Sequence, residues 1–270
     1  MPILPVLEAL PDQAMGLRRM LARERLRVLP IVAGQRGAGK TTLLLGIACA
    51  AAAAGQRVAV LDPSDGEVAA ALSLTWRWEL VHLLEGAREY REVALAGPAG
   101  IGIVPAAKGV AALLEAGRGG DELFGGFARL SARPDLMLLN VPAKDPAACA
   151  LLPQDAEMLV VTRTDRGSVT ATYSRLKALS RRHGRRRFRL VVNGAPEAEA
   201  RGLHRHMAAV ARRFLDAELA YGGSLGQQAA LRAGGPRAAA ACAAGFEALA
   251  RALADWRLAE YPVGRNAATR

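Results

Sequence analysis

Apolar positions along the chain follow two alternating periods, one suited to strands and one to helices. A short apolar run over Val28–Val32 leads into a glycine-rich turn, and an apolar helical pattern follows from Lys40 to Ala54 with Gly55 as its C-cap. Arg57–Leu61 (RVAVL) reads as a buried strand ending at Asp62. Strand, turn, helix and strand in such quick succession make a βαβ unit, with parallel strands and a right-handed crossover. The alternation repeats with strands over Ile101–Val104, Leu136–Val141, Met158–Thr162 and Phe188–Asn193. Helical patterns cover Gly109–Ala116, Ser168–His183 and Leu203–Leu215, and an Ala-rich helix is expected over Arg237–Leu258. The pattern predicts an α/β fold with a mostly parallel sheet flanked by helices on both faces. Residues 1–26 stand outside it as an N-terminal extension with a helix, residues 27–260 form the domain, and residues 261–270 a short tail. Strands ending in Asp62, Asn140, Thr162 and Asn193 place polar groups at the carboxyl edge of the sheet, where open α/β folds bind ligands.

Composition narrows the classes. The 270 residues are 51% hydrophobic, enough for one sizeable core, but only 4% aromatic, so the apolar volume comes from Ala, Leu and Val. A net charge of +11 permits polyanionic partners, yet the charge is widely spread and reads as a solvated surface. Cys49, Cys149 and Cys242 have no paired spacing, which points to reduced thiols rather than a disulfide frame or zinc site. His204 and His206 are two apart and face different sides of a helix. Met1–Pro11 lacks a signal-peptide pattern, and the apolar stretch Leu43–Ala54, interrupted by Gly46, is too short to cross a bilayer. The expected location is cytoplasmic.

One motif carries specific chemistry. Gly34-Gln35-Arg36-Gly37-Ala38-Gly39-Lys40-Thr41 fits G-x-x-x-x-G-K-[ST], and it sits between a predicted strand and a predicted helix. The glycines let backbone N–H groups turn inward around phosphate oxygens, and the helix that begins at the loop and runs through Thr42 adds its positive end. Lys40 is expected to reach the β- and γ-phosphates and Thr41 to hold Mg2+. Asp62, at the end of the next strand, is a candidate for holding Mg2+ through water or orienting a water. It is equally a turn residue in Asp62-Pro63-Ser64-Asp65-Gly66. The expected cofactors are ATP and Mg2+, with Lys40 and Asp62 as the catalytic candidates.

The loop, the helix after it and the strand into Asp62-Pro63-Ser64-Asp65-Gly66 resemble the MinD/ParA group of P-loop ATPases. Ile103-Val104-Pro105-Ala106, Asn140-Val141-Pro142-Ala143, Thr162–Lys177, Val192-Asn193 and Arg213-Phe214-Leu215 follow in that group's order. The resemblance spans residues 28–258 and implies an ATP-bound homodimer with nucleotides at the interface, and Asn193 at the adenine. Ahead of the loop, Asp12-Gln13-Ala14-Met15-Gly16-Leu17-Arg18-Arg19 is similar to the D-Q-A-x-x-L-R motif of the FlhG (FleN) family, MinD-like regulators of flagellar number. The similarity implies that Asp12, Gln13, Ala14, Leu17 and Arg18 engage an FlhF-type GTPase of the signal-recognition class. Leu17, Met20 and Leu21 supply an apolar stripe at helical spacing for such a contact.

Several positions depart from the group. Gln35 stands where it carries its signature lysine, and Arg36 where it has glycine. Arg36 is therefore a candidate for reaching a partner's phosphates. Ser64 replaces the second aspartate of D-x-D, with Asp65 adjacent but pointing elsewhere; Asn140 replaces the aspartate opening the next switch segment, and Lys144 a glycine. Positioning and electrostatics dominate phosphoryl transfer, so nucleotide binding is expected to persist with weak or absent hydrolysis. Tyr261–Arg270 lacks the bulky apolar positions of a membrane anchor. Two alternatives remain: a ParA-like partitioning ATPase that binds DNA through Arg181, Arg182 and Arg185–Arg187, and a nucleotide-bound scaffold positioning a pilus or cellulose machine.

Overall fold

In a computed structural model of the chain, residues 25–144, 146–226 and 246–262 are described. Strand β1 (Arg25–Ala33) is central, and the glycine turn joins it to helix α1 (Lys40–Ala53). Strand β2 (Val58–Asp62) precedes three short helices, α2 (Glu67–Ala71), α3 (Leu80–Leu84) and α4 (Tyr90–Val93). Next come β3 (Leu95–Ala96), β4 (Gly102–Pro105), α5 (Ala107–Glu115), α6 (Gly120–Ala128) and β5 (Leu136–Asn140). The chain continues through β6 (Met158–Thr162), α7 (Arg166–His183), β7 (Arg187–Asn193), α8 (Glu197–Leu215) and β8 (Glu218–Leu225). A helical segment over 246–252, α9, leads through the 3-10 turn Leu253–Asp255 to β9 (Ala259–Pro262).

The strands form one sheet in the order β3-β4-β2-β5-β1-β6-β7-β8, parallel except where β3 meets β4 and where β9 pairs with the first half of β1. Every residue of β2, β5 and β6 is buried, as expected of central strands covered on both faces. Alternate residues feed two apolar layers. Leu29, Ile31, Val60, Leu138 and Val161 pack against Leu43, Leu44 and Ile47 of α1 and against Phe246 and Leu249 of α9. Val28, Val32, Leu61, Leu139, Val160 and Leu190 face the opposite layer, filled by Val110, Phe124, Leu176 and Met207 from α5 to α8. Gly46 seats the Phe246 ring: a Cβ there would lie 2.3 Å from ring carbons. The predicted α/β sandwich is therefore observed.

The ends of the domain differ from expectation. β1 begins at Arg25, inside the stretch assigned to the extension, because Arg25 and Leu26 pair with Pro262 and Tyr261. β9 in turn carries the sheet to Pro262, into the assigned tail. Of the helix expected over Arg237–Leu258, residues 237–245 lie outside the described residues. The helix stops at 252, since Ala259 and Tyr261 are buried in alternation with Glu260 along the edge of β1. β8 also escaped the sequence pattern. Gly222 and Gly223 interrupt its apolar alternation, and its register with β7 shifts between Leu190 and Val191.

Candidate nucleotide-binding site

The loops following β1, β2, β5, β6 and β7 meet at one edge of the sheet around a cleft of ≈ 1040 Å³. Gln35–Gly37 and Gly39–Thr42 form one wall; Pro63–Asp65 with Glu67, and Pro142–Lys144, form the facing walls. Arg163, Asn193 and Gly194 close the far end. This volume is at the upper end of small-molecule pockets.

The loop glycines are there for steric reasons. A Cβ on Gly34 would lie 2.3 Å from the backbone N of Thr172, so the loop runs directly against α7. Gly37 and Gly39 have φ of 79° and 97°, a left-handed conformation that a side chain disfavours. Gly39 is the N-cap of α1 and offers no side chain to the first-turn N–H groups, which leaves them pointed at the cleft as an anion cradle. Lys40 opens the helix with its side chain 5% exposed. Its Nζ donates to the Val141 carbonyl at 2.8 Å and pairs with Glu67 Oε2 at 3.1 Å. Burial holds the Lys40 ammonium below its ordinary range, with Glu67 opposing that shift. Thr41 Oγ1 donates to Glu67 Oε1 at 2.8 Å, while Thr42 lies half-buried along the cleft.

Asp62 is 1% exposed and fully engaged. Its Oδ1 accepts from Ser64 N at 3.1 Å, from the Ser64 hydroxyl and from Asn140 Nδ2 at 2.8 Å, and its Oδ2 accepts from Val68 N at 2.9 Å. It therefore builds the turn into α2, and a cation could reach it only by displacing one of these donors or through water. Asn140 is wholly buried, and its Oδ1 has no hydrogen-bond partner among the described residues. Asn193 Nδ2 donates to the Ala38 carbonyl at 3.0 Å, and a Cβ on Gly39 would strike it at 2.2 Å, so Asn193 braces the loop from behind.

No protein-family model matches the chain. Over 268 residues it is 31% identical to the antiactivator FleN of Pseudomonas aeruginosa, an alignment covering 92% of this chain and 93% of that one. The chain belongs to the FleN family. Among solved structures, MinD of Aquifex aeolicus superimposes with a TM-score of 0.57 at 19% identity, covering 84% of this chain and 96% of that one. MinD of Pyrococcus horikoshii, complexed with Mg-ADP, gives 0.56 at 19% identity and the same coverages. An McdA variant of Cyanothece in complex with ATP gives 0.60 at 13%, again covering 84% and 96%. The fold of this FleN-family chain is that of the MinD/ParA-type P-loop proteins.

The structure thus brings together Gly34, Gln35, Arg36, Gly37, Ala38, Gly39, Lys40, Thr41, Thr42, Asp62 and Asn193 around one loop. Asp12, Gln13, Ala14, Leu17 and Arg18 lie outside the described residues. Gln35 and Arg36 are both exposed at the rim, but Gln35 is turned toward its own domain, with Nε2 donating to Ser168 Oγ at 2.9 Å. Asp65, expected to point elsewhere, lines the cleft. Thr162 is not part of the site; its hydroxyl accepts from Thr172 of α7 at 2.9 Å in the core. The basic run at Arg181–Arg187 is not uniformly solvated either. Arg185 is 2% exposed and donates to the carbonyls of Cys149, Leu152 and Pro153, which removes it from any surface patch.

The sequence reading missed Glu67. Ser64-x-x-Glu67 has the capping-box form, and Glu67 N indeed donates to Ser64 Oγ at 3.0 Å. The reciprocal half is different: the Ser64 N–H goes to Asp62, which leaves the Glu67 carboxylate free for Lys40 and Thr41. Burial works to raise the Glu67 carboxyl, but Lys40 and the Thr41 hydroxyl outweigh it and hold it below the usual carboxylate range.

Proposed function

We propose that this chain is an ATP- and Mg2+-binding regulator of flagellar biosynthesis that acts through nucleotide-dependent contact with an FlhF-type GTPase, with hydrolysis weak or lost. The observation that carries the reading is an intact phosphate cradle facing two neutralised strand ends, Ser64 and Asn140, in a chain of the FleN family.

The donor set fits a magnesium nucleotide. Backbone N–H groups of Gly37–Thr41 surround the phosphate position, and Lys40 exchanges the Val141 carbonyl and Glu67 for phosphate oxygens. Thr41, whose hydroxyl donates to Glu67, would hold the cation, and Asn193, at the far end of the cleft, would lie beside the adenine. Mg2+ supplies neutralisation of the phosphate charge. Ser64 and Asn140 are the groups that would orient an attacking water, and neither is a base at neutral pH. Ser64 is moreover committed to Asp62. The cleft therefore holds nucleotide with little to accelerate its hydrolysis.

Two surfaces follow from this reading. Arg36 at the rim, rather than Gln35, is the group available to a second copy's phosphates in an ATP-dependent homodimer. Residues 12–18 carry the contact to the GTPase, and recruitment to membrane or pole runs through partners. Among the described residues no helix is long and apolar enough to cross a membrane.

The test is ATP and ADP affinity together with Mg2+-dependent turnover on the purified chain, followed by capture of an FlhF-type GTPase with each nucleotide. Tight binding, slow turnover and ATP-dependent capture support the reading. Turnover matching an aspartate-bearing relative would overturn weak hydrolysis, and capture indifferent to Asp12→Ala would overturn the docking segment.

A further inference from the structure

We propose that Glu67 is a direct ligand of the divalent cation that accompanies the nucleotide, supplying the carboxylate that Ser64 and Asn140 no longer provide. The inference rests on the magnesium-nucleotide reading above and adds a residue to it.

The geometry already has the required spacing. Mg2+ binds oxygen at 2.0–2.1 Å in a near-ideal octahedron, so two adjacent ligand oxygens stand about 2.9 Å apart. Glu67 Oε1 is 2.8 Å from Thr41 Oγ1, the hydroxyl that a P-loop offers to its cation. An ion seated on that pair would replace the hydroxyl proton's hydrogen bond with two metal–oxygen bonds and require almost no movement of either side chain.

The surrounding groups explain why Glu67 and not Asp62 takes this place. Both Asp62 oxygens are held by donors from Ser64, Val68 and Asn140, and its carboxylate is buried. Glu67 keeps its side chain 43% exposed, with room to adjust. Its other oxygen is paired with Lys40, and a bound phosphate claims that ammonium. Phosphate binding thus removes one cation from Glu67 at the moment the site needs a carboxylate for another. The unpartnered Asn140 Oδ1 adds a buried acceptor behind the same turn.

A rival role has the same resting contacts: Glu67 as a counter-ion that occupies Lys40 and competes with phosphate. The two are separable. ADP and ATP affinities are measured calorimetrically in EDTA and in Mg2+ for the wild type, Glu67→Gln and Glu67→Asp. Mn2+ binding to the ADP-loaded proteins is followed by the loss of free-ion electron paramagnetic resonance signal. A cation ligand predicts that Glu67→Gln weakens Mn2+ binding about tenfold or more and loses a similar factor of the Mg2+-dependent gain in ADP affinity. Affinity in EDTA stays the same or rises, and Glu67→Asp, one methylene shorter, also loses Mn2+ affinity while keeping its charge. Mn2+ affinity unchanged in Glu67→Gln, with ADP affinity raised equally in EDTA and Mg2+, would make Glu67 a counter-ion only and overturn the proposal. Absence of nucleotide binding by the wild type in both conditions would instead remove the underlying nucleotide reading, and the proposal with it.

Discussion

The two walls of the cleft follow different rules. The wall built by the loop between β1 and α1 is fixed by backbone approach, with Gly34 pressed on α7 and the Gly39 turn braced by Asn193. The wall built by the ends of β2 and β5 has Ser64 and Asn140 hydrogen-bonded to Asp62, with the Glu67 carboxylate turned to Lys40. Under the proposed function, groups on the first wall would contact phosphate in ground state and transition state alike, whereas groups on the second would bear on the attacking water. On that proposal one wall keeps affinity while the other loses rate.

Removing the central cation of the first wall should have the largest effect. Lys40→Ala is expected to weaken ATP binding on the order of 100-fold in calorimetry, since it deletes charge-assisted bonds to phosphate. A loss of only a few-fold would show that the backbone cradle suffices. Gly34→Ala strikes the same wall sterically. With its Cβ driven against the Thr172 backbone, it should cost about 1–3 kcal/mol in urea unfolding and reduce ATP affinity as well. On the second wall, Ser64→Asp should move the other way in rate. A positioned base contributes on the order of 100-fold or more, so even imperfect placement should raise turnover about tenfold. Lower stability should accompany it, because a second carboxylate replaces a donor to Asp62. Unchanged turnover would locate the deficit elsewhere, at Gln35 or Asn140.

The smallest effect is expected far from the cleft, at Arg57 and Asp135. Burial acts to raise the Asp135 carboxyl, but hydrogen bonds from the Arg57 guanidinium and backbone hold it below its usual value. A depressed folded-state value gives stability that is present above the unfolded carboxyl's range near pH 4 and is lost as pH falls through the folded one. Asp135→Asn should therefore cost about 0.5–1 kcal/mol in urea unfolding at pH 7, the pair being partly exposed, and progressively less as pH falls below the carboxyl's ordinary range. Nucleotide affinity should not change, which makes this variant the control for both walls.

What could be read in the sequence follows the range of the forces involved. The loop motif is local, so its spacing alone placed the glycine turn between β1 and α1, and the buried strands declared themselves as unbroken apolar runs. Glu67 was hidden because its partners Lys40 and Thr41 come from another element, while its own neighbourhood reads as an ordinary helix start. The neutrality of Gln35 was legible, but its destination on Ser168 depends on how closely α7 approaches the loop. Arg185 sits in a run of basic residues that looks solvated, and only the carbonyls of Cys149, Leu152 and Pro153, brought in by the fold, make it a buried brace. β8 was obscured by its glycine pair and β9 by its shortness, four residues in which only Ala259 and Tyr261 are buried.

The pairing of β9 with β1 also sets an order of events during synthesis. Arg25 meets Pro262 and Val28 meets Ala259, so the first half of the central strand has no partner on that side until the last strand is available. At elongation rates of about 5–20 residues per second, some tens of seconds separate the two on the ribosome. During that interval the nascent domain carries an unpaired strand edge, the kind of surface that invites wrong pairing. The phosphate loop, hung from the other end of β1, would be assembled beside a sheet whose centre closes last.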